Sequence, residues 1–189
     1  MMTKTLVLLF PPDLSRSKAN AALARGAGSL PDVEVVDMQE LYPDGMDLYR
    51  DGEREAARLL EANRIVLQFP VQWYSTPPLL KAWQDAVLTR MFYIAYEAEG
   101  RRLEGTPLMI TATAGNTAEA YRPGGANMFA ISDIFTPLRA TANRCGLTWT
   151  EPFVIYRADK LSSDEIENAG GEYADALTHW IANSGSKRG

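Results

Sequence analysis

Phe69 to Trp83 reads "FPVQWYSTPPLLKAW". An apolar run ends at Phe69, a helix-like run follows the Pro77-Pro78 pair, and Gln72, Trp73 and Tyr74 stand between the two. A core strand prefers β-branched residues and a helix start asks only for a cap, so neither element explains that triplet. Thr76 can cap the helix with Pro77 at its first position. Leu79, Leu80, Trp83, Val87, Leu88 and Met91 then recur with the spacing of a buried helical stripe. The stretch is a strand, a short loop and a helix, the repeating unit of an alternating fold.

Working outward, the same unit recurs. Apolar runs of strand length lie at Thr5–Phe10, Val33–Met38, Arg64–Phe69, Leu108–Thr113 and Thr148–Tyr156, with room for a helix after each. Ala56, Leu59, Leu60 and Asn63 share a face of a helix expected to start near Asp51. Ser162 and Glu165 form a capping box ahead of the last helix, which the Gly170-Gly171 pair is expected to weaken or split. The alternation predicts an α/β three-layer sandwich: a five-stranded parallel sheet in the order 2-1-3-4-5 with helices on both faces.

A chain of 189 residues fits one domain, 1–189, with 183–189 read as a flexible tail. No apolar stretch is long enough for a transmembrane segment, and Leu6–Phe10 is too short for a signal-peptide core. The single cysteine, Cys145, cannot form an internal disulfide and has no zinc-like partners, so it is expected to be a small buried side chain in a cytoplasmic protein. A net charge of −5 argues against a nucleic-acid partner. The only histidine, His179, falls in the last helix, away from any expected site, and no GxSxG or HExxH occurs. No metal site is expected.

In such sheets a ligand sits beyond the carboxyl ends of the strands, where the strand order reverses. That rule selects the loops Pro11–Asn20, Pro70–Thr76 and Ala114–Asn127. In the first, Ser15, Ser17 and Asn20 stand at a strand-to-helix turn that suits a phosphate, although Ser15 or Ser17 as a plain helix cap reads equally well; GxGxxG and GxxxxGK[ST] are both missing. The second offers flat aromatic surface and an amide for a heterocycle, or else two rings that plug the top of the sheet. In the third, Gly115, Gly124 and Gly125 allow close backbone approach to a ligand, and Tyr121 and Asn127 offer hydrogen bonds.

Four segments carry a family resemblance: "QFPVQWYSTPPLLKAWQDAVL" (Gln68–Leu88), "AYEAEGRRLEG" (Ala95–Gly105), "ELYPD" (Glu40–Asp44) and "TPLRATANRCGLTWTEPFVIY" (Thr136–Tyr156). Over nearly its whole length the chain resembles the flavodoxin-like NAD(P)H:quinone oxidoreductases, most of all the bacterial branch containing the ancillary flavoprotein of glutathione-gated potassium efflux systems. The resemblance implies a flavin, FMN with FAD as the alternative, and NAD(P)H as co-substrate. Electrons would pass by ping-pong hydride transfer to a quinone or similar flat acceptor. It implies that Ser17, Lys18, Ala19 and Asn20 hold the flavin phosphate, that Pro70, Val71, Gln72, Trp73 and Tyr74 line the ring, and that Thr113, Ala114, Gly115, Asn116 and Thr117 hold its pyrimidine edge. Tyr121 and Asn127 are the candidate catalytic pair, with Asn127 where animal relatives carry a histidine. A homodimer with Phe92, Tyr93 and Tyr96 near the shared pocket is implied, and a transporter is the alternative partner, the chain then acting as its flavin-binding regulatory subunit. Two extra residues relative to the family fall in Met91–Ile94, and Pro11 stands where the family has histidine.

Overall fold

The computed structural model describes residues 4–185. Its elements are β1 (Thr5–Leu9), α1 (Lys18–Gly28), β2 (Val33–Asp37), α2 (Met38–Leu41), α3 (Leu48–Glu61), β3 (Arg64–Pro70), α4 (Pro78–Trp83), α5 (Arg101–Leu103), β4 (Pro107–Thr113), α6 (Ile131–Ile134), α7 (Thr136–Arg144), β5 (Thr148–Trp149), β6 (Phe153–Ile155) and α8 (Ser163–Asn183). All strand pairs are parallel, in the order β2-β1-β3-β4-β5, with β6 also on β4. This is the expected flavodoxin-like order.

Alternation along the strands builds two cores. Leu6 and Leu8 join Leu59, Trp83, Val87 and Leu138 on one face, while Val7, Leu9 and Val66 join Leu23, Ala27, Tyr173, Leu177 and Trp180 on the other. Each large apolar side chain buried in this way contributes ~1.5–3 kcal/mol. The second face belongs to α1 and α8, the first to the remaining long helices.

The fifth strand is not continuous. Leu108 pairs with Trp149 and Thr111 with Phe153, so three residues of the outer strand, 150–152, stand against two of β4. That extra residue is a bulge at a sheet edge, and Pro152 within it has no N–H to give a ladder. The last helix departs from expectation in the opposite sense: α8 runs unbroken through Gly170-Gly171. A Cβ on Gly170 would lie 2.9 Å from the Ala22 carbonyl oxygen, and one on Gly26 would overlap the Gly170 carbonyl. The glycine costs helix propensity but allows α1 and α8 to touch backbone to backbone. The Ser162–Glu165 capping box forms as expected, with Ser162 N–H donating to Glu165 at 2.7 Å and Glu165 N–H to Ser162 Oγ at 3.2 Å.

Smaller shifts have local causes. Asp47 accepts from the N–H groups of Tyr49 and Arg50, which starts α3 three residues ahead of Asp51. Pro77 occupies the cap position and Pro78 the first turn, so Thr76 caps nothing. Between α4 and α5 the backbone takes three π-helical segments, Gln84–Leu88, Arg90–Ile94 and Tyr96–Gly100; the second covers the two expected extra residues. Cys145 is buried, which pushes its thiol up to about 11, and His179 is exposed on α8. Of the expected tail, Asn183 closes α8, and 186–189 lie outside the described residues.

Candidate functional site

Loop one enters α1 through a tight turn. Asp13 accepts from the N–H and hydroxyl of Ser15 at 3.0 and 2.6 Å and from Arg16 N–H at 3.3 Å, so Ser15 is spent inside the loop. Ser17 sits at the cap position but its side chain takes no α1 N–H. Its oxygen accepts instead from Asn20 Nδ2 at 3.0 Å. The plain-cap reading therefore fails for both serines. The first turn of α1 has no acidic residue, and among the described residues no protein acceptor takes the N–H groups of Lys18, Ala19 or Asn20. Those free donors and the helix dipole together favour an anion.

Loop two is a two-residue turn. Gln72 N–H donates to Ser75 O at 3.0 Å, Ser75 N–H returns to Gln72 O at 2.9 Å, and Trp73 and Tyr74 between them have φ of 46° and 60°. Two successive left-handed residues make the turn that normally takes Asn-Gly. Placing bulky aromatics there costs of order 1–3 kcal/mol per residue, a strain that concentrates at functional sites. Neither ring plugs the sheet: Trp73 is 95% exposed and Tyr74 53%.

Loop three begins beside the fifth strand, with Ala114 N–H on Ile155 O at 2.8 Å. Ala114 O then accepts from Ala158, and Asn116 O from Arg157, both at 3.0 Å. Of the three glycines, Gly115 lines the larger of the two cavities that meet at Val71, and Gly124 and Gly125 line neither of them. Gly125 is required for a different reason, because a Cβ there would lie 2.5 Å from Glu119 O and 2.6 Å from Ala120 O as the loop folds back on itself.

Two cavities meet at Val71. The larger, about 430 Å³, is walled by Arg16, Ser17, Lys18 and Ala19, by Pro70 and Val71, and by Thr113, Ala114 and Gly115. Ala158, Asp159, Leu161 and Ile166 close its far side. The smaller, about 190 Å³, is lined by Val71, Trp73, Tyr74, Asn116, Tyr121 and Asn127. Asn20, Gln72 and Thr117 line neither: Asn20 is fully buried behind the first, Gln72 closes its turn, and Thr117 leads into the short helix Ala118–Ala120. Tyr121 packs near Tyr156, ring centres 5.9 Å apart. Burial, then Tyr74, raises the Tyr121 phenol above its ordinary value; burial, then Tyr121, does the same for Tyr156.

The wall that the sequence reading missed follows β6. The strand-end rule applied to the fifth strand, which ends at Tyr156 by sequence and at Ile155 in the fold, points to it. Asp159 is the one carboxylate against a wall otherwise rich in donors, and its Oδ1 lies 3.5 Å from the position of a Cβ on Gly115. Among the described residues no group of acidic, histidine or cysteine side chains could hold a metal.

A family described by its flavodoxin-like fold matches residues 3–177. The chain belongs to that family. It is 40% identical over 179 residues to the glutathione-regulated potassium-efflux system ancillary protein KefG of Cronobacter sakazakii, covering 93% of this chain and 95% of that one. Solved structures share the fold as well. General stress protein 14 of Treponema denticola, in complex with FMN, matches at TM-score 0.80 with 27% identity over 96% of this chain and 99% of its own. An NADPH-quinone reductase from P. pentosaceus matches at 0.76 with 27% identity, over 92% and 97%. An enzyme named thermophilic tryptophan halogenase, from Streptomycin violaceusniger, matches at 0.81 with 36% identity, over 91% and 97%. Reactions of different names share this fold, so the site must choose among them.

Proposed function

We infer that the chain is a flavin-dependent NAD(P)H:quinone oxidoreductase that carries FMN. The observation that carries the reading is the junction at Val71, where a donor-rich helix start and a strained aromatic turn wall adjoining cavities at the carboxyl ends of the sheet. The residues fit the group: free N–H groups and the cations Arg16 and Lys18 suit a phosphate, and Trp73 and Tyr74 offer flat surface to a ring. When bound, the flavin supplies two-electron chemistry between NAD(P)H and a flat acceptor such as a quinone, by ping-pong exchange at one open face.

The chain's own part is orientation and charge. Backbone N–H groups of Gly115 and Asn116 would oppose negative charge developing on the ring, since fixed dipoles stabilise it without reorganising, whereas those of Ala114 and Thr117 are spent on Ile155 O at 2.8 Å and Asn116 Oδ1 at 2.9 Å. Tyr121 keeps its phenol protonated through the neutral range and can hold a proton beside Asn127, whose amide can accept a hydrogen bond but cannot titrate. The proposed homodimer would use the exposed Tyr93 and Ile94; Phe92 is buried in the core and Tyr96 bonds Glu104 at 2.6 Å, so those two are not free for it.

Purified protein is expected to release FMN on denaturation and to give parallel double-reciprocal lines with NADPH and a quinone. A protein that binds neither FMN nor FAD removes the reading. The KefG likeness supports a second one, a flavin-bound regulatory subunit of an efflux transporter. Stoichiometric flavin without turnover, together with co-purification of a potassium transporter, would favour it. Among the described residues no helix is long and apolar enough to cross a membrane, so any such association would be peripheral.

A further inference from the structure

A buried relay lies behind the larger cavity. Gln68 and Asn20 are fully buried, and neither lines the cavity. Gln68 Nε2 lies 2.9 Å from the backbone carbonyl oxygen of Asn20, which can only accept, so the Gln68 amide must point its N–H₂ that way. The same nitrogen is 3.3 Å from the Asn20 side-chain oxygen, which fixes the Asn20 amide in turn. Asn20 Nδ2 must then face outward, where it donates to Ser17 Oγ at 3.0 Å and to Thr113 Oγ1 at 2.8 Å. Both of its N–H bonds are used.

Each hydroxyl already accepts from Asn20, and among the described residues neither donates to a protein acceptor. Both oxygens belong to residues on the cavity wall. We propose that Asn20 is a positioning residue: held by Gln68, it sets the Ser17 and Thr113 hydroxyls as donors into the cavity, so that this end takes an anionic phosphate ester. Asn20 thereby acts through its two neighbours rather than by touching the ligand. Thr113, though on β4, is set by this amide at the loop-one end of the cavity.

The inference rests on the flavin reading for its ligand, and the test separates the two. FMN is titrated into flavin-free wild type, Asn20→Asp, Asn20→Ala, Ser17→Ala/Thr113→Val and the last combined with Asn20→Ala, with riboflavin as the phosphate-free control. A carboxylate at position 20 would accept both hydroxyl protons and turn them from the cavity. Asn20→Asp should therefore weaken FMN about 100-fold, from two lost charge-assisted bonds, and riboflavin far less. Asn20→Ala should cost about tenfold in the wild-type background and nothing further in the Ser17→Ala/Thr113→Val background. Unchanged FMN binding by Asn20→Asp, or a full Asn20→Ala penalty in the double-variant background, overturns the proposal. If the buried charge prevents Asn20→Asp from folding, the alanine cycle alone decides. Inorganic phosphate, followed by the amide shifts of Lys18 and Ala19, gives the independent arm. Wild type that binds phosphate but no flavin sinks the flavin reading alone, provided Asn20→Ala also weakens phosphate; wild type that binds neither sinks both.

Discussion

The two walls that meet at Val71 are built in opposite ways. The loop-one wall is backed by Asn20 and Gln68, both fully buried, and by α1 pressed on α8 through Gly26 and Gly170. The wall after β3 is an exposed turn held by one pair of backbone bonds, with two aromatics in a conformation they disfavour. The first wall is paid for by folding. The second is held against its own backbone preference by that pair of backbone bonds.

The harshest way to break this contrast is Gly26→Ala. The new methyl would collide with the Gly170 carbonyl and force α1 off α8, at a cost of about 3 kcal/mol. Chemical denaturation should show that loss, with FMN affinity falling in parallel because the loop-one wall moves; an undisturbed midpoint would mean that the helices do not touch there.

Trp73→Ala should do the reverse. The ring is almost wholly exposed, so stability should stay within about 0.5 kcal/mol, while flavin affinity falls roughly tenfold. A larger change in stability than in affinity would return the triplet to a packing role. Trp73→Asn with Tyr74→Gly sharpens the point: it installs the turn's preferred residues, so thermal stability should rise by about 1 kcal/mol as flavin binding drops. No rise in stability would show that the turn is unstrained.

The smallest effect is in pH. The Tyr121 phenol is raised above its unfolded value of 10.0, so its contribution is fully present below pH 10.0 and is lost as pH climbs through the folded value. The ring is only half-buried, so solvent screening limits the contribution to roughly a few tenths of a kcal/mol. Tyr121→Phe should flatten the alkaline fall in stability slightly; a steeper fall would contradict the sign.

The sheet order and three of the four site loops were legible because strand-length apolar runs and the strand-end rule depend on periodicity alone. The fourth loop was passed over although its start was legible, since the fifth run ends at Tyr156 and β6 at Ile155: the crevice rule was applied to strands 1, 3 and 4 and left out the edge strand. The left-handed φ of Trp73 and Tyr74 was illegible for a stronger reason: those residue types rarely adopt it, and composition points elsewhere. Asn20 could be placed at the loop from sequence, but whether its amide faces a ligand or two hydroxyls depends on a partner 48 residues away, Gln68. Gly170 read as a flaw in a helix because its neighbour Ala22 lies far off in the chain.

The π-helical run from Gln84 to Gly100 works as a slack adjuster. Each wide turn closes its hydrogen bond five residues back, as Ala95 N–H does on Arg90 O at 2.8 Å, and so takes in one residue more than an α turn. Trp83 before the wide turns, Val87 within the first of them and Leu103 after them all stay in the core, while Tyr93 and Ile94 are displaced outward. Removing one residue from Met91–Ile94 would tighten a wide turn into an ordinary one, so that the side chains beyond it keep their register and only those within the turn move. The length of this segment thus sets which residues the molecule shows to its surroundings, without a change in the core beneath.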